Sequence, residues 1–202
     1  MNMQYEESQA FFEEAFARHR SMVILRAADA ATTQSLCDRA WVAGMEIAEV
    51  PLQGDASVAA LDAVIRRDGG DKLIGAGTIV SRKLVHQAFR AGAAFTVAPG
   101  YDPAVLDLSI ELGMPHLPGV ATFAEVQHAL DSGIRWLKAS PAAQLGMAWF
   151  SAMRGPFPAA RFVAAGGVTG ANAQDFLRAG AAAVSFGSSY KEMSDERLRA
   201  VA

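Results

Sequence analysis

Apolar positions along the chain gather into short runs separated by longer stretches in which apolar and polar residues recur with a helical period. Runs of the first kind are Met22–Leu25, Ile47–Val50, Leu73–Gly75, Phe95–Ala98, His116–Leu117, Trp136–Lys138, Arg161–Ala164 and Ala183–Phe186, and each reads as a strand. They return roughly every 20 to 26 residues, the length needed for a strand, a loop, a helix and a turn back. The intervening helices carry their own punctuation. Ser81, Asp102-Pro103 and Thr122 with Glu125 three positions on mark starts, the last as a capping box. Ala91-Gly92, Leu112-Gly113, Ser132-Gly133 and Ala179-Gly180 mark ends, where glycine permits a left-handed turn. Eight such units without a Pro/Gly/Ser linker predict one domain over residues 1–202, a single α/β (β/α)8 TIM barrel. An open doubly wound sheet is the alternative, because periodicity does not establish closure. Residues before about Arg20 predict an extra N-terminal helix with Phe11, Phe12, Ala15 and Phe16 on its apolar face.

Composition narrows the possibilities. A net charge of −3 with scattered Lys and Arg offers no footprint for nucleic acid, and no apolar run approaches the length of a membrane span. Glu6, Glu7, Glu13 and Glu14 near the start are unlike a secretory signal, and a single cysteine, Cys37, suits a reducing cytoplasm. Cys37 falls in a helix expected after Thr32 and reads as packing. The four histidines, His19, His86, His116 and His128, show neither HxH nor HExxH spacing, so no metal site is expected.

Reactive groups of such a barrel lie where strands run into their following helices. At those ends stand Arg26, Glu49, Gly77-Thr78, Pro99-Gly100, Pro118-Gly119, Lys138, Gly166-Gly167 and Gly187-Ser188. Of the four lysines, Lys72 lies in a polar turn before a strand, Lys83 beside Arg82 at a helix start and Lys191 in a charged tail. Lys138 alone follows a strand-like apolar run. Desolvation there disfavours the ammonium, and a neutral amine adds to a ketone to form a Schiff base. A lysine snorkelling from the rim is the plainer reading. Glu49, flanked by Ala48 and Val50, is expensive inside a barrel unless neutral or paired, and can move protons to and from a substrate carbon. Its structural alternative is an ion pair with Arg26 of the neighbouring strand. Gly166-Gly167 and Gly187-Ser188 end the seventh and eighth strands, whose loops often hold a phosphate on exposed backbone N–H groups. An ordinary tight turn is the alternative for either pair alone.

Taken together, these residues resemble the 2-keto-3-deoxy-6-phosphogluconate aldolases and their 6-phosphogalactonate-specific relatives. The landmarks are Ile24-Leu25-Arg26, Glu49-Val50-Pro51-Leu52, Gly75-Ala76-Gly77-Thr78, Pro99-Gly100, Pro118-Gly119-Val120-Ala121-Thr122, Leu137-Lys138 with Pro141, Gly166-Gly167-Val168 and Gly187-Ser188, from about Met22 to Ser189. The resemblance implies that Lys138 is the Schiff-base lysine and Glu49 the acid/base, with Arg26, Thr78 and the backbone near Gly77 on the carboxylate of the pyruvate half. It further implies that Gly166, Gly167, Gly187 and Ser188 bind the distal phosphate, that Pro99 and Pro118 wall the imine, and that Thr122 reaches it. Neither metal nor organic cofactor is implied; the partner is a phosphorylated keto acid, and the assembly a homotrimer. The chain departs from the phosphogluconate pattern at Gln53, where an arginine is usual, and at Ala164-Ala165, where Pro-Thr is usual. Both departures incline toward the galactonate epimer. Ala139-Ser140 after the lysine replaces a bulkier pair and loosens the pocket wall. A sugar-phosphate isomerase or epimerase, or a non-enzymatic sugar-phosphate sensor, would use the same glycine loops. Neither has the same need for a lysine and a glutamate at facing strand ends.

Overall fold

The computed structural model describes residues 3–26, 29–68, 70 and 72–202. After helix α1 (Met3–Arg18) the chain alternates strand and helix: β1 (Ser21–Ile24), α2 (Ala30–Val42), β2 (Ile47–Pro51), α3 (Asp55–Asp68), β3 (Leu73–Gly77), α4 (Arg82–Arg90), β4 (Thr96–Val97) and α5 (Pro103–Glu111). It continues through β5 (His116–Leu117), β6 (Gly119–Val120), α6 (Phe123–Asp131), β7 (Trp136–Ala139), α7 (Ala142–Met153), β8 (Arg161–Ala165), α8 (Ala173–Ala179) and β9 (Ala183–Phe186). A 3-10 turn (Ser188–Glu192) and α9 (Asp195–Arg199) follow.

All strand pairings are parallel, in the order β5-β4-β3-β2-β1-β9-β8-β7-β6. The fifth predicted strand is thus two segments divided by Pro118, which has no N–H to donate to a ladder. Its first half pairs back onto β4 and its second half forward onto β7, so one shared stave joins the two ends of the sheet. Lys138 N donates to Pro118 O at 2.8 Å across this seam. The expected barrel is therefore found, with eight staves built from nine segments, and the open sheet is not.

Alternation along the strands sorts the core into two. Outward residues such as Val23, Val50, Leu137 and Val184 pack under the helices. Inward Met22, Ile47, Phe95, Trp136 and Val163 join Phe12, Ala15 and Phe16 of α1 in a second cluster. Helix α1 therefore plugs the floor of the barrel with the apolar face read from its sequence. It also satisfies strand-start backbone groups: Gln9 Oε1 accepts from Arg135 N at 2.7 Å and Trp136 N at 2.9 Å, and His116 N donates to Ser8 Oγ at 3.2 Å.

The helix starts read from Ser81, Asp102 and the Thr122–Glu125 capping box are all present. Helix α2 begins earlier than expected. Asp29 is its cap and accepts from Thr32 N at 2.8 Å, so Thr32 lies in the first turn rather than before it.

A buried polar chain lies between β4, β5 and α5. Ser109 Oγ donates to Met114 O at 3.0 Å, so Thr96 Oγ1 donates to Ser109 at 2.6 Å and must accept from His116 Nδ1–H at 2.7 Å. That assigns the neutral Nδ1–H tautomer and leaves Nε2 buried without a partner. Burial lowers the His116 pKa from 6.5 to about 3. The unfolded chain binds this proton more readily, so the neutral ring's contribution to stability is lost as pH falls from about 6.5 toward 3. His116→Asn keeps an N–H for Thr96 but does not titrate. Urea midpoints measured from pH 7 to pH 4 are expected to fall less steeply for His116→Asn than for the wild type; parallel curves would remove His116 from the acid sensitivity.

Candidate active site

Strands β2 and β7 each send one residue inward at the floor and another above it. Ile47 and Trp136 are the lower pair and belong to the floor cluster; Glu49 and Lys138 are the upper pair. Although 89 residues apart in sequence, Lys138 Nζ lies 3.3 Å and 3.1 Å from the two Glu49 carboxylate oxygens. Glu49 is 1% exposed and Lys138 8%. The partner of Glu49 is therefore Lys138. Arg26 stands exposed beyond β1 and does not make the ion pair entertained for it.

The barrel's register explains the meeting. Starting from Glu49, each second stave contributes an inward residue displaced by two: Val97 through Gly77, Lys138 through Gly119, Ser185 through Ala165, and Glu49 again through Ile24. Four steps of two residues make a displacement of eight, the shear at which alternate strands of such a barrel supply four-residue layers. Glu49, Val97, Lys138 and Ser185 form one of these layers.

Glycines make room beside it. A Cβ on Gly77 would stand 1.9 Å from Glu49 Oε1, and one on Gly75 would stand 2.4 Å from the Phe95 ring. Only a hydrogen at Gly77 allows the carboxylate to lie where Lys138 reaches it. The next residue, Thr78, has φ 59°, the one non-glycine in the left-handed region among the described residues. For a β-branched residue this is an outlier that costs about 1–3 kcal/mol, and it sits at the mouth of the barrel beside the buried pair.

The other expected site residues also stand at the mouth end, in varied states. Gln53 and Pro99 are exposed, with Gln53 N donating to Ser57 Oγ at 2.8 Å. Pro118 is buried in the seam. Thr122 is exposed and its hydroxyl is engaged in the helix cap, donating to Glu125 Oε2 at 2.8 Å and accepting from Glu125 N at 3.3 Å. Gly166 and Gly167 follow β8 with φ 90° and 76°, and a Cβ on Gly167 would stand 2.4 Å from Ala143 Cβ. Gly187 and Ser188 open the 3-10 turn after β9. Ser189 Oγ donates to Val168 O at 2.6 Å and ties these two loops together. At the opposite end of the barrel Lys72 is held by Glu46 at 2.9 Å, away from the Lys138–Glu49 layer. Sequence reading passed over Ser185, although a polar residue two positions after inward-facing Ala183 is itself a signal.

Among the described residues there is no cluster of three or more His, Cys, Asp or Glu able to hold a metal, and no helix long and apolar enough to cross a membrane. What the arrangement offers is a buried primary amine against a buried carboxylate, at the foot of a mouth ringed by glycine loops.

The sequence and fold are similar to those of known proteins. The family model described as "Aldolase: KDPG and KHG aldolase" matches residues 12–201. A 2-dehydro-3-deoxy-phosphogluconate aldolase of Treponema pallidum is 42% identical over 107 residues, covering 52% of this chain and 51% of that protein, so the match spans about half the length of that relative. A probable 2-dehydro-3-deoxy-6-phosphogalactonate aldolase of Rhizobium meliloti is 33% identical over 164 residues, covering 79% of this chain and 77% of that one. The crystal structure of KDPG aldolase from Legionella pneumophila, with pyruvate captured as a covalent carbinolamine, superposes with a TM-score of 0.84 at 28% identity, covering 93% of this chain and 96% of that one.

Gly77→Ala is expected to displace the Glu49 carboxylate from Lys138. A crystal structure of the variant would show the contact lengthened beyond hydrogen-bond range, and chemistry that depends on the pair would fall about 100-fold. An unchanged contact would mean that the surrounding main chain yields instead.

Proposed function

The chain belongs to the KDPG and KHG aldolase family, and from that premise we propose that it cleaves 2-dehydro-3-deoxy-6-phosphogalactonate to pyruvate and D-glyceraldehyde 3-phosphate through a Schiff base on Lys138. The observation that carries the reading is the buried contact of Lys138 Nζ with Glu49 at the mouth end of the barrel. The Lys138 amine adds to the C2 ketone and loses water to give a protonated imine. Glu49 accepts the proton of the C4 hydroxyl, the C3–C4 bond breaks, and its electron pair passes into the imine to leave an enamine and the free aldehyde. Glu49 then returns a proton to C3, and water hydrolyses the imine to release pyruvate and the amine.

Arg26, Thr78 and the backbone near Gly77 take the substrate carboxylate in this reading, for which a guanidinium fork is suited. Gly166, Gly167, Gly187 and Ser188 take the phosphate through backbone N–H groups. Gln53 and the Ala164-Ala165 pair favour the galactonate epimer, since a hydroxyl-binding threonine is absent beside the glycines. The Rhizobium relative supports the same choice. The gluconate epimer is the second reading, favoured by the Treponema relative. A homotrimer in the cytoplasm completes the proposal, with half-exposed Phe89 and Phe123 as apolar surface available for subunit contact.

Incubation with pyruvate and borohydride is expected to add a reduced pyruvyl group at Lys138, located by peptide mass spectrometry; a folded protein without adduct would sink the Schiff-base mechanism. The ratio of kcat/KM on the two epimers then decides the sugar, with the galactonate expected to be higher by tenfold or more, about the discrimination one lost hydrogen bond supports. Ser188→Asp is expected to weaken phosphorylated substrates at least about tenfold more than unphosphorylated ones, by placing like charge at the phosphate. Equal loss on both would put the phosphate elsewhere.

A further inference from the structure

Four buried side-chain polar atoms among the described residues lack a partner, and one of them, Ser185 Oγ, lies in the layer of Glu49 and Lys138. Ser185 is 1% exposed. Its neighbours Val184 and Phe186 belong to the helix-facing core and Ala183 to the inner one, so alternation turns Ser185 inward. Within the four-residue layer its two ring neighbours are Lys138 on β7 and Glu49 on β2, while Val97 stands across from it. A hydroxyl can donate one hydrogen and swing among three staggered positions. In the free protein Lys138 Nζ is shared between the two Glu49 oxygens, and the serine hydroxyl makes no hydrogen bond.

That balance changes when Lys138 becomes an imine. Its nitrogen turns to the substrate carbon and goes from three N–H groups to the single one of a protonated imine, so a buried carboxylate loses donors at the step where it must act as a base. We propose that Ser185 is a positioning residue for Glu49: once Lys138 carries the imine, the serine hydroxyl donates to the Glu49 carboxylate, keeping it ionised and aimed at the substrate carbon. The inference rests on the Schiff-base reading of Lys138.

The test compares wild type with Ser185→Ala in three measurements: borohydride trapping of pyruvate on Lys138, exchange of the pyruvate methyl protons with deuterated water followed by NMR across pH, and thermal unfolding of the free protein. Trapping is expected at the wild-type level, and the unfolding midpoint is not expected to fall, because the hydroxyl bonds nothing in the free state. Methyl exchange is expected to slow about tenfold, the scale of one hydrogen bond to a charged group. The acidic limb of its pH profile is expected to move to higher pH, because a carboxylate deprived of a donor is easier to protonate. Wild-type exchange and an unmoved limb in Ser185→Ala would overturn the proposal, as would slowed exchange accompanied by a lowered unfolding midpoint, which marks a packing role. Failure of the wild type itself to trap pyruvate would refute the Schiff-base reading, and this inference with it.

Discussion

The shear of the barrel is the constraint on which the site depends. Strand pairing displaced by eight residues around eight staves sets alternate strands at one height, and so brings Glu49 of β2 against Lys138 of β7. A slip of one residue in either strand would turn one of these charges into the helix-facing core. The pair is a poor stabiliser in its own right. Removing two ions from water costs several kcal/mol each, and mutual attraction in the interior only offsets that. Apolar residues would fill the same ring with less risk, so the pair is best understood through what an amine and a carboxylate do together.

Size is graded along the barrel axis. The floor is filled by Ile47, Phe95 and Trp136 together with Phe12 and Phe16 of α1. On the same staves the next inward positions carry the charges, and of the four positions bordering them toward the mouth only Ile24 is large, the others being Gly77, Gly119 and Ala165. A packed floor thus gives way to a space opened by missing side chains. Gly119 shows how tight the arrangement is, since a Cβ there would stand 2.2 Å from Pro99 O. The proline-glycine pairs are in this sense spacing elements for the wall.

Much of this is legible in the sequence, because it is local. Apolar runs named the staves, Ser81, Asp102 and Thr122 named helix starts, and Lys138 stood out as the lysine ending a strand. What escaped was set by relations between distant segments. Whether Glu49 meets Arg26 or Lys138 depends on accumulated register around the ring, which no stretch of sequence records. The division of the fifth stave at Pro118 depends on which neighbour each half finds, and the inward hydroxyl of Ser185 gains meaning only from the layer it shares. Asp29 was missed for a simpler reason: two good capping residues lay three apart, and the earlier one caps the helix.

The hold of α1 on the barrel reaches further than closing its base. Gln9 grips the backbone of Arg135 and Trp136, Glu13 accepts from Trp136 Nε1 at 3.0 Å, and Phe16 stacks on the Trp136 ring with centroids 5.0 Å apart. Trp136 is the residue directly beneath Lys138 on the inward face of the same strand. The amine at the mouth is therefore supported by a column that begins on the outer helix, and the height of Lys138 over its pocket is fixed from below as well as by the strands on either side. An alteration in the first turns of the chain, remote from any substrate, acts on the foundation of that column.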